Sequence, residues 1–103
     1  MSFSVIWTIQ AREDLRRLEA RLIEVALEQG DFDLPERVMD VIDSKVTLLE
    51  SHPFVCRKFG DHSYQRELVI PFGKAGYLLL FEIVSEHEVV VGALRHQREE
   101  DDF

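Results

Sequence analysis

The last third of the chain contains three apolar runs that are separated by turn-forming residues. The runs lie at residues 66–70, 76–84 and 89–98. The first connection spans 71–75, and the second, Ser85–Glu88, has the length of a hairpin loop. This pattern predicts a three-stranded antiparallel meander. A glycine inside the last strand, Gly92, is typical of a β-bulge or of close packing.

The N-terminal part of the chain predicts one short strand and then a helix. Residues 3–9 are rich in β-branched and aromatic types. Because side chains alternate along a strand, every second position is expected to face the core. These positions are Phe3, Val5, Trp7 and Ile9. Apolar residues then recur at spacings of three and four from Ala11 to about Gln29, as in an amphipathic helix. We expect Thr8 to cap its start and Gly30 its end.

A second helix is predicted to begin at Asp33 and to end before His52. Asp33 can cap the first turn, Pro35 needs no amide partner there, and Glu36 occupies the capping-box position. The short connection between the two helices favours an antiparallel hairpin. Residues 53–63 are predicted to form a loop with one extended segment.

Together these patterns predict a single α+β domain over residues 1–103. A short N-terminal strand precedes an antiparallel helix hairpin, and the three-stranded antiparallel meander follows. A chain of 103 residues has room for one core of this kind. Its acidic end, about 99–103, is predicted to be frayed.

The charge of the chain restricts its partners. The formal net charge is −8, and the residues Glu99 to Asp102 carry four of these negative charges. Strong unaided binding to nucleic acid is not expected, since that binding needs a basic face. The single cysteine, Cys56, permits no intrachain disulfide, and neither a signal peptide nor a membrane-spanning run is predicted. We therefore expect a cytoplasmic protein.

No cofactor or metal ion is predicted. The potential ligands His52, Cys56, Asp61 and His62 lie within eleven residues, but their spacing matches no zinc pattern. The sequence around Cys56 offers no nucleophile elbow, and none of the glycines opens a helix as a phosphate loop requires.

Polar residues within the meander provide the candidate site. Glu82 interrupts an apolar strand, and a buried carboxylate needs a cation, so we expect a structural ion pair with Arg66 or Arg95. The alternative is that basic residues form one cationic face that binds an acidic partner or an RNA backbone. These residues are Arg57, Lys58, Arg66, Arg95, His96 and Arg98. Tyr77 starts the central strand, with its ring in the core and its hydroxyl at the rim.

Several short motifs, in this order and spacing, resemble the RelE/ParE superfamily of toxins from bacterial toxin–antitoxin modules. The motifs are a Val-x-Trp strand, Ala11-x-x-Asp14-Leu15, Leu49-x-x-x-Pro53, Arg66-Glu67-Leu68, Gly76-Tyr77 with the apolar residues that follow, and Leu94 to Glu99. The resemblance covers nearly the whole chain. It implies a helix hairpin packed on an antiparallel sheet.

The resemblance also implies one of two activities. Toxins of the RelE type cut mRNA on the ribosome with lysines, arginines and a C-terminal tyrosine. The positions here that correspond to those residues are Gln65, Glu67, Leu78, about Gln97 and about Phe103. Because a glutamate in place of a phosphate-binding lysine reverses the charge, the resemblance implies the ParE branch, which is associated with poisoning DNA gyrase.

The ParE-like interpretation predicts a plasmid-stabilisation toxin that binds a protein target and is neutralised by a cognate antitoxin, with which it forms a hetero-oligomer. The target-binding candidates are Arg57, Lys58, Arg66, Tyr77, Arg95, His96 and Arg98. One alternative is a ribosome-dependent mRNA endonuclease with a rearranged site. That site would use Arg66, Arg95, His96 and Arg98. A second alternative is a family member that has lost its toxicity.

Overall fold

The computed structural model describes residues 2–97, which form a five-stranded sheet and two α-helices. The elements are β1 Ser4–Trp7, α1 Ile9–Gln29, α2 Leu34–Ser51, a 3₁₀ turn Pro53–Val55, β2 Arg57–Phe59, β3 His62–Phe72, β4 Ala75–Ile83 and β5 Glu88–His96. This order confirms the predicted α+β arrangement. Neither helix in residues 2–97 is long and apolar enough to cross a membrane. The acidic end predicted to be frayed lies outside the described residues.

The predicted meander is confirmed, since β3, β4 and β5 pair antiparallel in this order. β1 lies parallel to β5, and β2 pairs with β3, so the strand order is β1-β5-β4-β3-β2. The first connection is shorter than predicted, because Phe72 pairs with Ala75 across a two-residue turn. Pro71 can stay within β3 because β2 pairs with β3 only as far as Glu67, so no strand flanks β3 on that side at Pro71.

The helix ends follow local capping chemistry, with one exception. Thr8 Oγ1 accepts a hydrogen bond from the Ala11 amide at 3.1 Å, and Gly30 ends α1 with a φ of 70°. The predicted capping by Asp33 is wrong, because its backbone is not extended and its carboxylate pairs with Arg37 instead. Ile9 does not share the core face either. It is 83% exposed, because it is the first residue of α1 and not the last of a strand.

The core lies between the helices and one face of the sheet. α1 packs mainly over β5, and α2 packs over β3. Alternate residues of β4 point into this core, while Phe3, Val5 and Trp7 pack against its side. The core-facing residues of β4 are Tyr77, Leu79, Phe81 and Ile83. Each fully buried aliphatic or aromatic side chain of this size contributes about 1.5–3 kcal/mol.

Gly92 occupies a β-bulge, as one of the two sequence interpretations predicted. Ala93 lies opposite Leu80 and Val91 lies opposite Phe81, so Gly92 is the extra residue on β5. The bulge meets the start of α1, where Thr8 donates from its amide to the Val91 carbonyl at 3.0 Å and from its hydroxyl to the Gly92 carbonyl at 3.4 Å. The bulge thus fixes the position of α1 over the sheet.

Candidate functional site

A cleft of about 580 Å³ opens between α1 and the ends of β4 and β5 where Tyr77 and His96 lie. We call it the cationic cleft, because three arginines line it against one carboxylate. Its lining residues are Asp14, Arg17, Leu18, Arg21, Leu22, Val25, Tyr77, Leu94, Arg95 and His96. On a chain with a net charge of −8, three arginines around one cleft are a local concentration of positive charge.

Asp14 connects the two walls of the cationic cleft. One carboxylate oxygen accepts the Leu94 amide at 3.0 Å, and the other accepts the Gln10 side-chain amide at 2.9 Å and the Arg17 guanidinium. Asp14 is only 9% exposed, so these donors replace the water that its charge has lost. The interaction joins α1 to β5 and holds Arg17 at the rim.

Tyr77 and His96 face each other across β4 and β5. Their rings meet edge to face with centroids 5.3 Å apart. Burial raises the pKa of Tyr77 above its usual value of 10, so the phenol stays protonated at neutral pH. Tyr77 therefore offers the cleft a neutral hydroxyl that can donate a hydrogen bond.

The arginines of the cleft differ in their attachments. Arg17 is held by Asp14, and Arg21 lies 3.2 Å from Glu24 in a pair whose side chains are both about two-thirds exposed. Such exposed pairs contribute little to stability, so a partner can bind Arg21 in place of Glu24 with only a small loss of free energy. Arg95 is exposed beside His96. The mouth of the cleft thus carries side chains that can bind carboxylates or phosphates.

Arg66 lies away from this cleft, and its guanidinium is engaged by the backbone. Nε donates to the Ser63 carbonyl at 2.8 Å, and Nη1 donates to the carbonyls of Phe54 and Cys56 at 3.0 and 2.9 Å. The guanidinium also lies over the Phe54 ring, 5.4 Å from its centroid. These bonds attach the 3₁₀ turn to β3.

Two further candidates, Arg57 and Lys58, lie on β2 at the far edge of the sheet, and Arg57 pairs with Glu67. The predicted basic residues therefore do not form one face among the described residues. Arg95 and His96 line the cationic cleft with Tyr77, whereas Arg57, Lys58 and Arg66 lie near the opposite edge. Arg98 lies outside the described residues.

The expectation that Glu82 is a buried, ion-paired carboxylate is wrong. Glu82 is exposed, and its cross-strand neighbours are Gln65 and Val90. It lies on the sheet face away from the helices, and this face is open to water there. Arg66 points to the opposite, core-facing side of the sheet and donates to backbone carbonyls, so it does not form an ion pair with Glu82.

Sequence reasoning missed Asp14, Arg17 and Arg21 as parts of the site. One signal was available: Asp14 lies three residues after Ala11 and four before Leu18, within the apolar stripe of α1. A carboxylate in such a stripe is buried and needs donors. The two arginines carry no comparable signal, because basic residues are common on solvent-exposed helix faces.

Two comparisons of sequence identify toxins of bacterial toxin–antitoxin systems as relatives of this chain. The family model described as the ParE toxin of the type II toxin–antitoxin system, parDE, matches residues 5–101. The curated relative Toxin RelE3 of Caulobacter vibrioides is 31% identical over 90 residues, which cover 87% of this chain and 89% of the relative.

Two solved structures share the fold. The chromosomal ParDE system from P. aeruginosa matches with a TM-score of 0.69 and 14% identity, covering 92% of this chain and 96% of that one. The toxin–antitoxin complex RelBE2 from Mycobacterium tuberculosis matches with a TM-score of 0.52 and 23% identity, covering 93% and 99%. The family model spans nearly the whole chain, and the chain therefore belongs to the ParE family of toxins from type II toxin–antitoxin systems.

Proposed function

We propose that this toxin acts in the cytoplasm by binding a protein target, such as DNA gyrase, through the cationic cleft, and that a cognate antitoxin neutralises it. A toxin and antitoxin encoded together in this way would stabilise the plasmid or chromosomal element that carries them. The observation that carries the proposal is the cleft itself, because Tyr77, Arg95 and His96 line it together with Arg17 and Arg21.

The groups around the cleft support binding more than chemistry. Burial raises the pKa of Tyr77 further above neutral, and the position where the RelE type has an arginine is the buried Leu78. Glu67 stands where that type has a lysine, and it pairs with Arg57. A cleft lined by arginines and one protonated phenol can bind an acidic surface, and its positive charge also raises the association rate with that surface.

The test is induction of the chain without antitoxin, together with a supercoiling assay on purified gyrase. We expect growth arrest, a DNA-damage response and loss of supercoiling. Arg21→Glu with Arg95→Glu should abolish all three effects. The matched control is Arg16→Glu, because Arg16 is 73% exposed on α1 but does not line the cleft. Unchanged growth with no DNA-damage response would contradict the proposal.

A second candidate is ribosome-dependent cleavage of mRNA, the activity that a RelE-type resemblance implies, since the Caulobacter relative carries the name RelE3. In this chain it would rely on Arg95, His96 and Arg98, because Arg66 is engaged by backbone carbonyls. Translation-coupled cleavage that is lost in His96→Ala, with supercoiling unaffected, would favour this candidate. Antitoxin binding without any effect on growth would instead indicate a member that has lost its toxicity.

A further inference from the structure

A second cleft, of about 560 Å³, opens at the opposite end of β4 from the cationic cleft. We call it the aromatic cleft. Its principal lining residues are Phe3, Phe54, Tyr64, Glu82, Val84 and Glu86. The end of β4 at Ile83 lies six residues from Tyr77, which corresponds to roughly 20 Å along a strand. The two clefts are therefore separate surfaces.

Apolar side chains are exposed to water in the aromatic cleft. Phe54 is 51% exposed, Tyr64 is 57% exposed and Val84 is 47% exposed. A cluster of large apolar groups that share one concave surface, rimmed by polar residues, is typical of a protein interaction site. Tyrosine in particular is enriched among the residues that dominate interface energies.

The two aromatic rings are held in place before any partner arrives. Arg66 binds the Phe54 carbonyl and lies over the Phe54 ring, and this ring meets Tyr64 edge to face with centroids 6.4 Å apart. A side chain that is already ordered loses less conformational entropy on binding. The Arg66 contacts thus support the Phe54 ring, and the Phe54 ring in turn supports Tyr64.

The charge of the aromatic cleft is opposite to that of the cationic cleft. Two exposed carboxylates, Glu82 and Glu86, line it, whereas the Arg66 guanidinium behind the Phe54 ring is engaged by backbone carbonyls. An acidic rim around aromatic groups fits a segment with an apolar anchor between basic residues. Such a segment gains from ring contacts, from cation–π contacts and from charge complementarity.

We propose that the aromatic cleft docks the cognate antitoxin through a segment in which an apolar or aromatic residue is flanked by lysine or arginine. The proposal rests on the proposed function, because it takes an antitoxin as the partner. Since the two clefts lie at opposite ends of β4, neutralisation and target binding have separate determinants on this chain.

The experiment measures the dissociation constant between the purified full chain and the antitoxin protein encoded beside it. Tyr64→Ala should raise the dissociation constant at least about tenfold, because an exposed aromatic anchor is lost. Glu82→Lys with Glu86→Lys should weaken binding as well, and more so at low salt. The matched controls are Phe32→Ala and Glu28→Lys, which change an exposed aromatic ring and an exposed carboxylate elsewhere on the chain. Both controls should bind as the unaltered chain does.

Measurements of folding and of toxicity separate a loss of antitoxin binding from a loss of structure or of activity. Circular dichroism should give the same thermal transition for Tyr64→Ala and the unaltered chain, since the tyrosine is largely exposed. Tyr64→Ala should still arrest growth when expressed alone, but co-expressed antitoxin should no longer rescue the cells. An unchanged dissociation constant in both Tyr64→Ala and the double glutamate variant would overturn the proposal, as would an antitoxin that fails to bind the unaltered chain. Neither result depends on whether gyrase is the target.

Discussion

Asp14 is the residue on which the geometry of the cationic cleft depends. Its carboxylate is buried, yet it carries hydrogen bonds from the Leu94 amide, Gln10 and Arg17. Removing a buried acceptor leaves its donor unsatisfied, which costs more than the net contribution of the bond itself.

Asp14→Ala should therefore lower the free energy of unfolding by about 1–3 kcal/mol, because the Leu94 amide loses its partner in the core. Urea denaturation followed by circular dichroism measures this change. The matched control is Glu13→Ala, which removes a 44% exposed carboxylate from its pair with Arg16. This control should change stability by less than about 0.5 kcal/mol. Equal losses in the two variants would show that Asp14 is not an anchor.

Gly76 is required by a close approach of the backbone. A Cβ atom at this position would lie 2.3 Å from the Ile70 carbonyl oxygen, and the backbone cannot yield as a flexible side chain would. Gly92, the bulge residue, has its nearest neighbour at 4.0 Å.

Gly76→Ala should destabilise the fold by about 1–3 kcal/mol, because the β3–β4 hairpin must shift to admit the methyl group. Gly92→Ala is the matched control in the neighbouring strand, and it should be close to neutral. Thermal unfolding of both variants measures the difference. A neutral Gly76→Ala would mean that the hairpin has more room than the distances indicate.

The two helices differ in how they begin. Thr8 caps α1 through its side chain, whereas the Asp33 carboxylate at the start of α2 makes no capping bond. Thr8→Ala should therefore cost about 1 kcal/mol of stability. Asp33→Ala should change stability by less than about 0.5 kcal/mol. Chemical denaturation of the two variants tests this, and a larger loss for Asp33→Ala would contradict it.

The loop between the helices carries an acid-sensitive pair. Hydrogen bonding to Arg37 lowers the pKa of Asp31 from 3.8 to about 2. Because this pKa is lower in the folded state, the stabilisation is fully present above the unfolded pKa and is lost as the pH falls through 4 towards 2.

Asp31→Asn should consequently be less stable than the unaltered chain at pH 5, and the difference should shrink as the pH falls to 2. Urea midpoints across this range measure the effect. In an Arg37→Gln background the same substitution should show no such convergence, because the guanidinium that lowers the pKa is gone. A difference that does not vary with pH would refute the assigned role of Arg37.

The molecule as a whole separates its charges along β4. The cationic cleft lies at the end near Tyr77, and the aromatic cleft with Glu82 and Glu86 lies at the other end. Opposite potentials at two ends of a small domain can steer two different partners without competition between them.

Association with the proposed acidic target should therefore depend on salt. Arg21→Glu with Arg95→Glu should lower the association rate constant at least about tenfold at low ionic strength, and high salt should reduce this difference. Stopped-flow or biosensor kinetics at two salt concentrations measure it. The same double variant should bind the antitoxin normally, and a parallel loss of both partners would argue against two separate surfaces.

The sequence by itself determined which segments form helices and strands, and it determined several of the residues that cap or interrupt them. Periods of two and of three to four residues are local properties, so they predict the strands and the helices directly. Thr8, Gly30 and Gly92 also act within a few residues of their own positions. The motifs that resemble the toxin family needed only order and spacing, and the family assignment confirmed them.

Only the tertiary structure decided which polar residues meet. Asp14 and Leu94 are 80 positions apart, and β1 joins the sheet beside β5, which lies more than eighty residues later. Strand order and register set these contacts, and neither can be read from local periodicity. The same long-range pairing placed Arg95 and His96 in the cationic cleft, placed Arg66 over the Phe54 ring and exposed Glu82. The physical reason is that a side chain's partners depend on the face and neighbour its strand acquires in the assembled sheet.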